Sequence, residues 1–151
     1  MLVKFNLNGF EREVNVQPGE YLLDTLRKIG IKSVKKGCDG SACGVCTVLL
    51  DEKPVLSCSV LTVRVNGHKV ETVESIQDEA AKLSECFASE GADQCGFCNA
   101  AVALVVHALN KENPNPTDDE IKDYLVGNLC RCTGYQGQQK AIRKYLGGNK
   151  Q

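Results

Sequence analysis

Eight of the nine cysteines in this 151-residue chain fall into two groups whose spacing suits metal binding. The first group has the spacing C-x4-C-x2-C with a more distant fourth member: Cys38, Cys43, Cys46 and Cys58. That spacing is typical of plant-type [2Fe-2S] sites. Gly37, Gly40 and Gly44 permit the tight backbone curl that lets three thiolates converge and turns N–H groups toward the sulfurs. Zinc prefers closely spaced cysteine pairs and fits this pattern poorly. The first group therefore predicts a two-iron cluster.

The second group consists of a C-x2-C pair and a C-x-C pair, separated by residues 99–129: Cys95, Cys98, Cys130 and Cys132. Both pairs fall at the ends of predicted helices, and helix N-termini favour negative charge such as that of thiolates. The spacing alone fits zinc and a two-iron cluster equally well. The first group favours iron, because two clusters in one small chain provide a path for electrons. We therefore expect an electron carrier with two four-cysteine sites.

The other residues with metal-binding or redox chemistry are left without a role. Cys86 lies beside Phe87 on a predicted amphipathic helix, where a free thiol usually behaves as a small apolar side chain. His68 and His107 are not needed as ligands, since both cysteine groups are complete without them. The sequence has no phosphate loop, nucleophile elbow or Rossmann glycine pattern. The chain is thus predicted to carry electrons without a catalytic site of its own.

Composition places the chain among ordinary globular proteins, with 42% hydrophobic and 25% charged residues and a net charge of −1. The basic residues do not gather into a stripe, which argues against nucleic acid as a partner. The N-terminus lacks the apolar core of a secretory signal, and no apolar run approaches the roughly 18 residues of a membrane helix. We expect a soluble, cytoplasmic protein without membrane insertion, in which so many cysteines indicate metal or redox chemistry.

The first half of the chain is predicted to be rich in strands. Residues 2–16 alternate in hydrophobicity around Asn8-Gly9, a strong hairpin turn signal. A short helix is expected from Leu22 until Gly30 ends it. Strands are expected over residues 47–50, with a turn near Asp51-Glu52, and over residues 69–73.

Only helices are predicted from residue 76 onward. They cover approximately residues 76–89, 98–111, 117–127 and 136–146, and the second is apolar almost all round, as a buried helix would be. Thr117 and Glu120 form a capping box at the start of the third. The sequence therefore predicts an α+β chain with a strand-rich domain over residues 1–75 and a four-helix domain over residues 76–151.

Three blocks around the cysteines resemble a known family. They cover residues 37–46, 94–98 and 127–135 and read GCDGSACGVC, QCGFC and GNLCRCTGY. In combination they resemble the small iron–sulfur subunit of the molybdenum hydroxylases, the family of xanthine dehydrogenase, aldehyde oxidoreductase, nicotinate dehydrogenase and carbon monoxide dehydrogenase. The resemblance extends from Lys4 to about Leu146.

The resemblance implies a β-grasp, ferredoxin-like N-terminal domain and a four-helix-bundle C-terminal domain, each holding one [2Fe-2S] cluster on its four cysteines. It implies a large partner subunit with a molybdopterin cofactor near the second cluster, and an FAD-binding partner near the first. Electrons would pass from molybdenum to the second cluster, then the first, then the flavin. The positions that approach the pterin in the family are Gln94 and Cys132 here.

Two segments depart from the family pattern. Asn99-Ala100-Ala101-Val102 stands where the family commonly has Thr-Pro-Gly-Met, and Ser41 stands where glycine is commoner, with Gly40 beside it to compensate. The first departure keeps open a free-standing two-cluster ferredoxin that serves another oxidoreductase. A zinc-stabilised interaction module is the third reading.

Overall fold

The computed structural model describes residues 1–148. Within that range it contains a five-stranded sheet and five α-helices. All the strands precede the last four helices along the chain, and the predicted α+β composition is confirmed. The predicted second domain extends to residue 151, and its last three residues lie outside the described range.

The sheet has the strand order β2–β1–β5–β3–β4. The strands are β1 (Leu2–Leu7), β2 (Phe10–Asn15), β3 (Thr47–Leu50), β4 (Lys53–Leu56) and β5 (Lys69–Glu71). β1 and β5 are parallel, and the other neighbouring pairs are antiparallel.

The β1–β2 hairpin turns at the predicted residues. Asn8 and Gly9 have φ angles of 53° and 88°, and a two-residue hairpin turn of this kind needs positive φ at both positions. Strand β4 follows the predicted turn near Asp51-Glu52 but was missed as a strand. Pro54 argues against a central strand, and β4 lies at the edge of the sheet, where proline is tolerated.

One hydrophobic core lies between the sheet and helix α1 (Leu22–Lys28). Val3, Phe5 and Leu7 point into it from alternate positions of β1, because successive side chains of a strand face opposite sides. Leu22 and Leu26, one helical turn apart on α1, are fully buried against them.

The remaining helices are α2 (Gln77–Ser89), α3 (Asn99–Glu112), α4 (Asp118–Leu125) and α5 (Gln136–Gly148). Helix α2 packs against α3 and α5, and α4 packs against the same two helices. The predicted capping box is present: the Glu120 N–H donates to Thr117 Oγ1 at 3.2 Å, and the Thr117 N–H donates to the Glu120 carboxylate at 2.6 Å. Of the helices within residues 1–148, none combines the length and the apolar character that crossing a membrane requires.

The second hydrophobic core surrounds α3, as its apolar sequence predicted. Val102, Leu104 and Leu109 are buried among the other helices. Strand β3 joins the two cores, because Leu49 points into the helical core and the adjacent Val48 into the first. The helices are therefore packed directly against the sheet.

Candidate metal centres

The first cysteine group is gathered mainly by one loop between α1 and β3. Cys38, Cys43 and Cys46 lie on this loop, and Cys58 lies on a short 3-10 helix directly after β4. The pairing of β3 with β4 brings Cys58 back to the loop, because Thr47 lies opposite Leu56 in the register. Thiol–thiol contacts join Cys38 to Cys43 and Cys46 to Cys58. The four side chains thus form one site made of two pairs.

Backbone N–H groups are directed at the sulfurs of the first site. The Ala42 N–H donates to Cys38 Sγ at 3.4 Å. Together the N–H groups of Cys43 and Ala42 lower the pKa of the Cys38 thiol to about 7. Burial raises the pKa of the Cys46 thiol to about 11. The site therefore combines a thiol at its rim that ionises readily with a deep one that does not.

Ser41 explains one departure from the family pattern. Its φ is 53°, in the left-handed region that favours glycine, whereas Gly40 does not have a positive φ. The serine itself therefore adopts the turn, and the expected compensation by Gly40 is wrong. The Ser41 hydroxyl lies 3.5 Å from Cys58 Sγ, so it adds a polar contact to the site that a glycine would not have.

The second cysteine group is assembled from two distant loops at the ends of helices. Cys95 and Cys98 lie directly before α3, and Cys130 and Cys132 lie between α4 and α5. Thiol–thiol contacts join Cys95 to Cys132 and Cys98 to Cys130. This site also consists of two pairs, each formed by one cysteine from either loop.

Exposure and hydrogen bonding differ across the second site. Cys95 and Cys132 are exposed, whereas Cys98 is buried and burial raises the pKa of its thiol to about 11. The Phe97 N–H donates to Cys95 Sγ at 3.5 Å and lowers the pKa of that thiol. The Thr133 hydroxyl donates to Cys130 Sγ at 3.2 Å.

The two sites adjoin one another. A cavity of about 610 Å³ is lined by all four thiols of the second site and also by Gly37, Cys43 and Val45 of the first loop. The Leu129 N–H donates to the Cys43 carbonyl at 2.9 Å. One backbone hydrogen bond thus joins a cysteine of the first site to the residue that precedes Cys130.

Gly44 permits the close approach of the first cysteine loop to the segment that precedes Cys130. A Cβ atom at this position would lie 2.1 Å from the Gly127 carbonyl oxygen, and its φ is +74°. The buried Asn128 side chain donates to the Gly44 carbonyl at 3.2 Å. On the other side of the contact, the Lys35 ammonium donates to the Phe97 carbonyl at 3.1 Å and lies 5.0 Å from the centre of the Phe97 ring.

The arrangement of the thiols fits [2Fe-2S] clusters. Within residues 1–148, no three His, Cys, Asp or Glu side chains are arranged to hold a metal ion as they stand. Each site instead presents two contacting pairs of thiols, and a [2Fe-2S] cluster has two irons and four cysteine ligands. Inward N–H and hydroxyl donors suit the negative charge of such a cluster.

Comparison with known proteins agrees with this chemistry. Residues 5–84 match the 2Fe-2S iron-sulfur cluster binding domain, and residues 72–143 match the [2Fe-2S] binding domain. The nicotinate dehydrogenase small FeS subunit of Eubacterium barkeri is 40% identical over 144 residues, covering 93% of this chain and 92% of its own length. The chain belongs to the family of small iron–sulfur subunits of the molybdenum hydroxylases.

Two further relatives agree with this assignment. The xanthine dehydrogenase iron-sulfur-binding subunit of Escherichia coli O157:H7 is 40% identical over 139 residues, which cover 89% of this chain and 87% of its own length. A chain in the crystal structure of quinoline 2-oxidoreductase from Pseudomonas putida 86 superposes with a TM-score of 0.88 at 36% identity, covering 98% of this chain and 94% of that one. The predicted family, and the role as an iron–sulfur subunit of an oxidoreductase, are thereby confirmed.

The subunit places the two predicted pterin-contact positions on the same exposed rim. Gln94 and Cys132 are both exposed, and each is next to or in contact with Cys95. The Asn99–Val102 segment forms the first turn of α3, where the Asn99 amide donates to Asp93 at 3.2 Å. The departure from the family sequence therefore leaves the helix start directly after Cys98 in place.

The residues given no metal role have other contacts. His68 Nδ1 lies 2.6 Å from an Asp51 carboxylate oxygen, and His107 Nδ1 lies 3.8 Å from Glu79. Cys86 is half-buried and packs against the helical core. Each of the two histidines thus lies beside a carboxylate, and the thiol of Cys86 lies beside apolar side chains.

Three residues that hydrogen-bond to the cysteines or their loops were not predicted from the sequence: Asn128 donates to Gly44, Thr133 to Cys130 and Gln138 to Cys98. The first two stand in the block that carries the resemblance, but their roles depend on loop geometry that spacing does not give. Gln138 precedes the buried Ala141 and Ile142 by three and four residues, so the helical period does place it on the inward face of α5. A polar residue on that face was the available signal.

Proposed function

We propose that the subunit carries electrons between a molybdopterin on a large partner chain and an FAD on another, with one [2Fe-2S] cluster at each cysteine group. Cys38, Cys43, Cys46 and Cys58 would hold cluster one, and Cys95, Cys98, Cys130 and Cys132 would hold cluster two. Each cluster would accept and donate one electron at a time. The observation that carries the proposal is the direct hydrogen bond between the two loops, from the Leu129 N–H to the Cys43 carbonyl.

That hydrogen bond completes a short route between the sites. It runs from the Cys43 thiol through its own carbonyl to the Leu129 N–H, and from there along the chain to the Cys130 thiol. Asn128, bonded to Gly44 at 3.2 Å, holds the same two loops together from a buried position. These two hydrogen bonds, one between backbone groups and one from a side chain to the backbone, would fix the spacing of the two clusters.

The two cores support a division of the fold into two domains. We infer a β-grasp, ferredoxin-like domain over residues 1–75, built on the core beneath α1. A four-helix-bundle domain would cover residues 76–151. Strand β3 contributes to both cores, so the two domains would be packed directly against each other.

The exposed rim of the second site is suited to contact with the pterin-bearing chain. Gln94, Cys95 and Cys132 are exposed there. Phe97, Leu129 and Tyr135 surround them with apolar side chains that are each nearly half exposed. Large apolar side chains left exposed close together are typical of a surface that a protein partner covers. Gln94 would donate or accept hydrogen bonds to the pterin ring.

The exposed rim of the first site is polar by comparison. A cavity of about 140 Å³ beside Cys38 and Cys58 is also lined by Tyr21, Asp24 and Asp39. We assign this rim to the flavin-bearing partner, since it lies on the cysteines that do not face the second site. Electrons would leave the subunit here.

The substrate is selected by another chain. The three relatives are named for nicotinate, xanthine and quinoline, yet each is 36–40% identical to this subunit. A small subunit that stays so similar while the named substrate changes does not itself recognise the substrate. We infer that the large partner does so.

Co-purification from the native source tests the partner. The proposal expects a large chain carrying molybdenum to accompany the subunit, and reduction of both clusters when the substrate of the complex is added. A two-cluster protein that purifies alone, and is reduced only by another oxidoreductase, would establish the free-standing ferredoxin.

The Gln94→Ala variant tests the pterin contact within that complex. Both clusters should assemble, while their reduction by substrate should slow, because a hydrogen-bonded step of the electron route would be replaced by a through-space gap. Gln77→Ala, which removes an exposed glutamine at the start of α2, is the matched control and should reduce at the normal rate. An unchanged rate in the Gln94 variant would contradict the contact.

A further inference from the structure

The side chain of Gln138 is buried against the deepest thiol of the second site. Its exposure is 4%, and that of Cys98 is 7%. Gln138 Nε2 lies 3.5 Å from Cys98 Sγ, as a donor to the sulfur. An amide in such a position costs free energy unless it is hydrogen-bonded. The cysteine sulfur is the partner that the structure provides.

The position of Gln138 is fixed by the packing of α5. Gly137 lies against the segment before Cys95, where an added Cβ would be only 3.2 Å from both the Glu90 carbonyl and the Ala92 Cβ. On the following turn, Ala141 and Ile142 are fully buried in the helical core. With α5 held on both sides, the amide of Gln138 has little freedom to turn away from Cys98.

We propose that Gln138 is a positioning residue that raises the reduction potential of cluster two through its N–H to Cys98 Sγ. This inference depends on the proposed function, because it requires Cys98 to be a cluster ligand. Reduction adds one negative charge to a cluster, and part of that charge resides on the cysteine sulfurs. A donor to the sulfur is therefore bonded more strongly in the reduced state, which favours reduction.

The hydrogen bond from Gln138 would favour electron flow from the partner into cluster two. In the proposed route, cluster two receives electrons before cluster one, and a donor that stabilises reduced cluster two makes it a better acceptor from the partner. Removing the donor should lower the potential of cluster two alone. The first site, which has no contact with α5 among the hydrogen bonds described, should not respond.

Redox titration of the intact complex, followed by EPR, tests the proposal. In Gln138→Leu, which retains the apolar volume and removes the amide, the ratio of reduced to oxidised cluster two at a fixed potential should fall about tenfold, equal to a fall of about 59 mV for a one-electron couple. Cluster one, measured in the same sample, should keep its potential. Gln139→Leu, which changes the neighbouring and more exposed glutamine, should leave both potentials unchanged.

The outcomes separate this inference from the proposed function. A wild-type protein with only one EPR signal would contradict the two-cluster function itself. Two signals, with an unchanged potential of cluster two in Gln138→Leu, would overturn only the role of Gln138. Gln138→Met, a flexible side chain without a donor, is the second variant. Loss of cluster two in both variants would also overturn the proposal, since it would show that the residue is needed for assembly.

Discussion

Three of the four thiols of the first site lie within residues 38–46 of one loop, whereas the second site draws two thiols from each of two loops that are far apart in sequence. The first loop turns at Ser41 and Gly44, which both have a positive φ, and a backbone N–H donates to the sulfur of Cys38. The second is positioned by the helices around it, and side chains such as Thr133 add to the backbone donors.

The two sites differ in what determines the positions of their thiols: local backbone conformation at the first site, and tertiary packing at the second. The ligand geometry of the first site depends on the backbone conformation of one short segment. The second depends on the packing of α3, α4 and α5, so it requires an intact helical core. We therefore expect the first site to be disturbed by changes in its loop, and the second by changes in the core.

Replacement of a ligand at each site should give the largest contrast. Cys43→Ser should remove cluster one and unfold residues 36–46, because cluster binding supplies folding free energy to this loop. Cys98→Ser should remove cluster two and also destabilise the helices, since Cys98 packs in their core. Iron content, EPR and thermal unfolding of each variant measure these effects.

Cys86→Ser is the control for the ligand replacements. Cys86 packs against the same helical core but is not one of the eight cysteines of the two sites, so this variant should keep both clusters. A Cys43→Ser protein with two intact clusters would disprove the assignment of the first site.

The cysteine thiols should be alkylated at very different rates after iron has been removed under reducing conditions. The pKa of Cys38 is about 7, whereas burial raises the pKa of Cys46 and that of Cys98 to about 11. Because the thiolate is the nucleophile, Cys38 should be alkylated before Cys46 and Cys98 at neutral pH, and its rate should level off above about pH 8. The rates of Cys46 and Cys98 should continue to rise toward about pH 11.

Mass spectrometry of the alkylated peptides measures this order and also compares the two sites. If the helical core holds the second site together without iron, Cys98 should stay protected for longer than Cys46, whose loop depends on the cluster. Equal rates for all eight thiols would contradict the local environments described.

Gly44→Ala should have a smaller effect, directed at the contact between the two loops. The new Cβ would meet the Gly127 carbonyl at 2.1 Å, at a residue whose φ is +74°. We expect a loss of about 2 kcal/mol or more in the free energy of unfolding. The magnetic interaction between the reduced clusters should also weaken as the loops separate.

Gly40→Ala is the matched control on the same loop. An added Cβ there meets nothing within 4 Å, and φ is not positive. Denaturant unfolding should show little change for this variant. If Gly44→Ala were equally mild, the close approach of the loops would not be a constraint on the fold.

The same distinction between local and tertiary control explains what could be predicted from the sequence. The hairpin at Asn8-Gly9 and the cap at Thr117 are local features, and both were placed correctly. The helices were placed within about two residues, because their apolar periodicity is strong. Strand β4 was missed, since Pro54 hides the signal of an edge strand.

The site was predictable to the same extent. Spacing alone favoured a [2Fe-2S] cluster for the first group, because three of its members share one loop. The second group was ambiguous on spacing alone, and no sequence rule gives the pairing of Cys95 with Cys132 or of Cys98 with Cys130. The contact of Gly44 with Gly127 and the donor role of Gln138 arise only when distant segments pack together.

Low-temperature EPR of the chemically reduced protein, with spins counted per chain, tests the central claim most directly. The account predicts two distinct S = 1/2 signals of equal intensity, one from a cluster in the loop-built site and one from a cluster in the helix-built site. A single signal would mean that one cysteine group does not hold a [2Fe-2S] cluster, and would contradict the proposed path of electrons through this subunit.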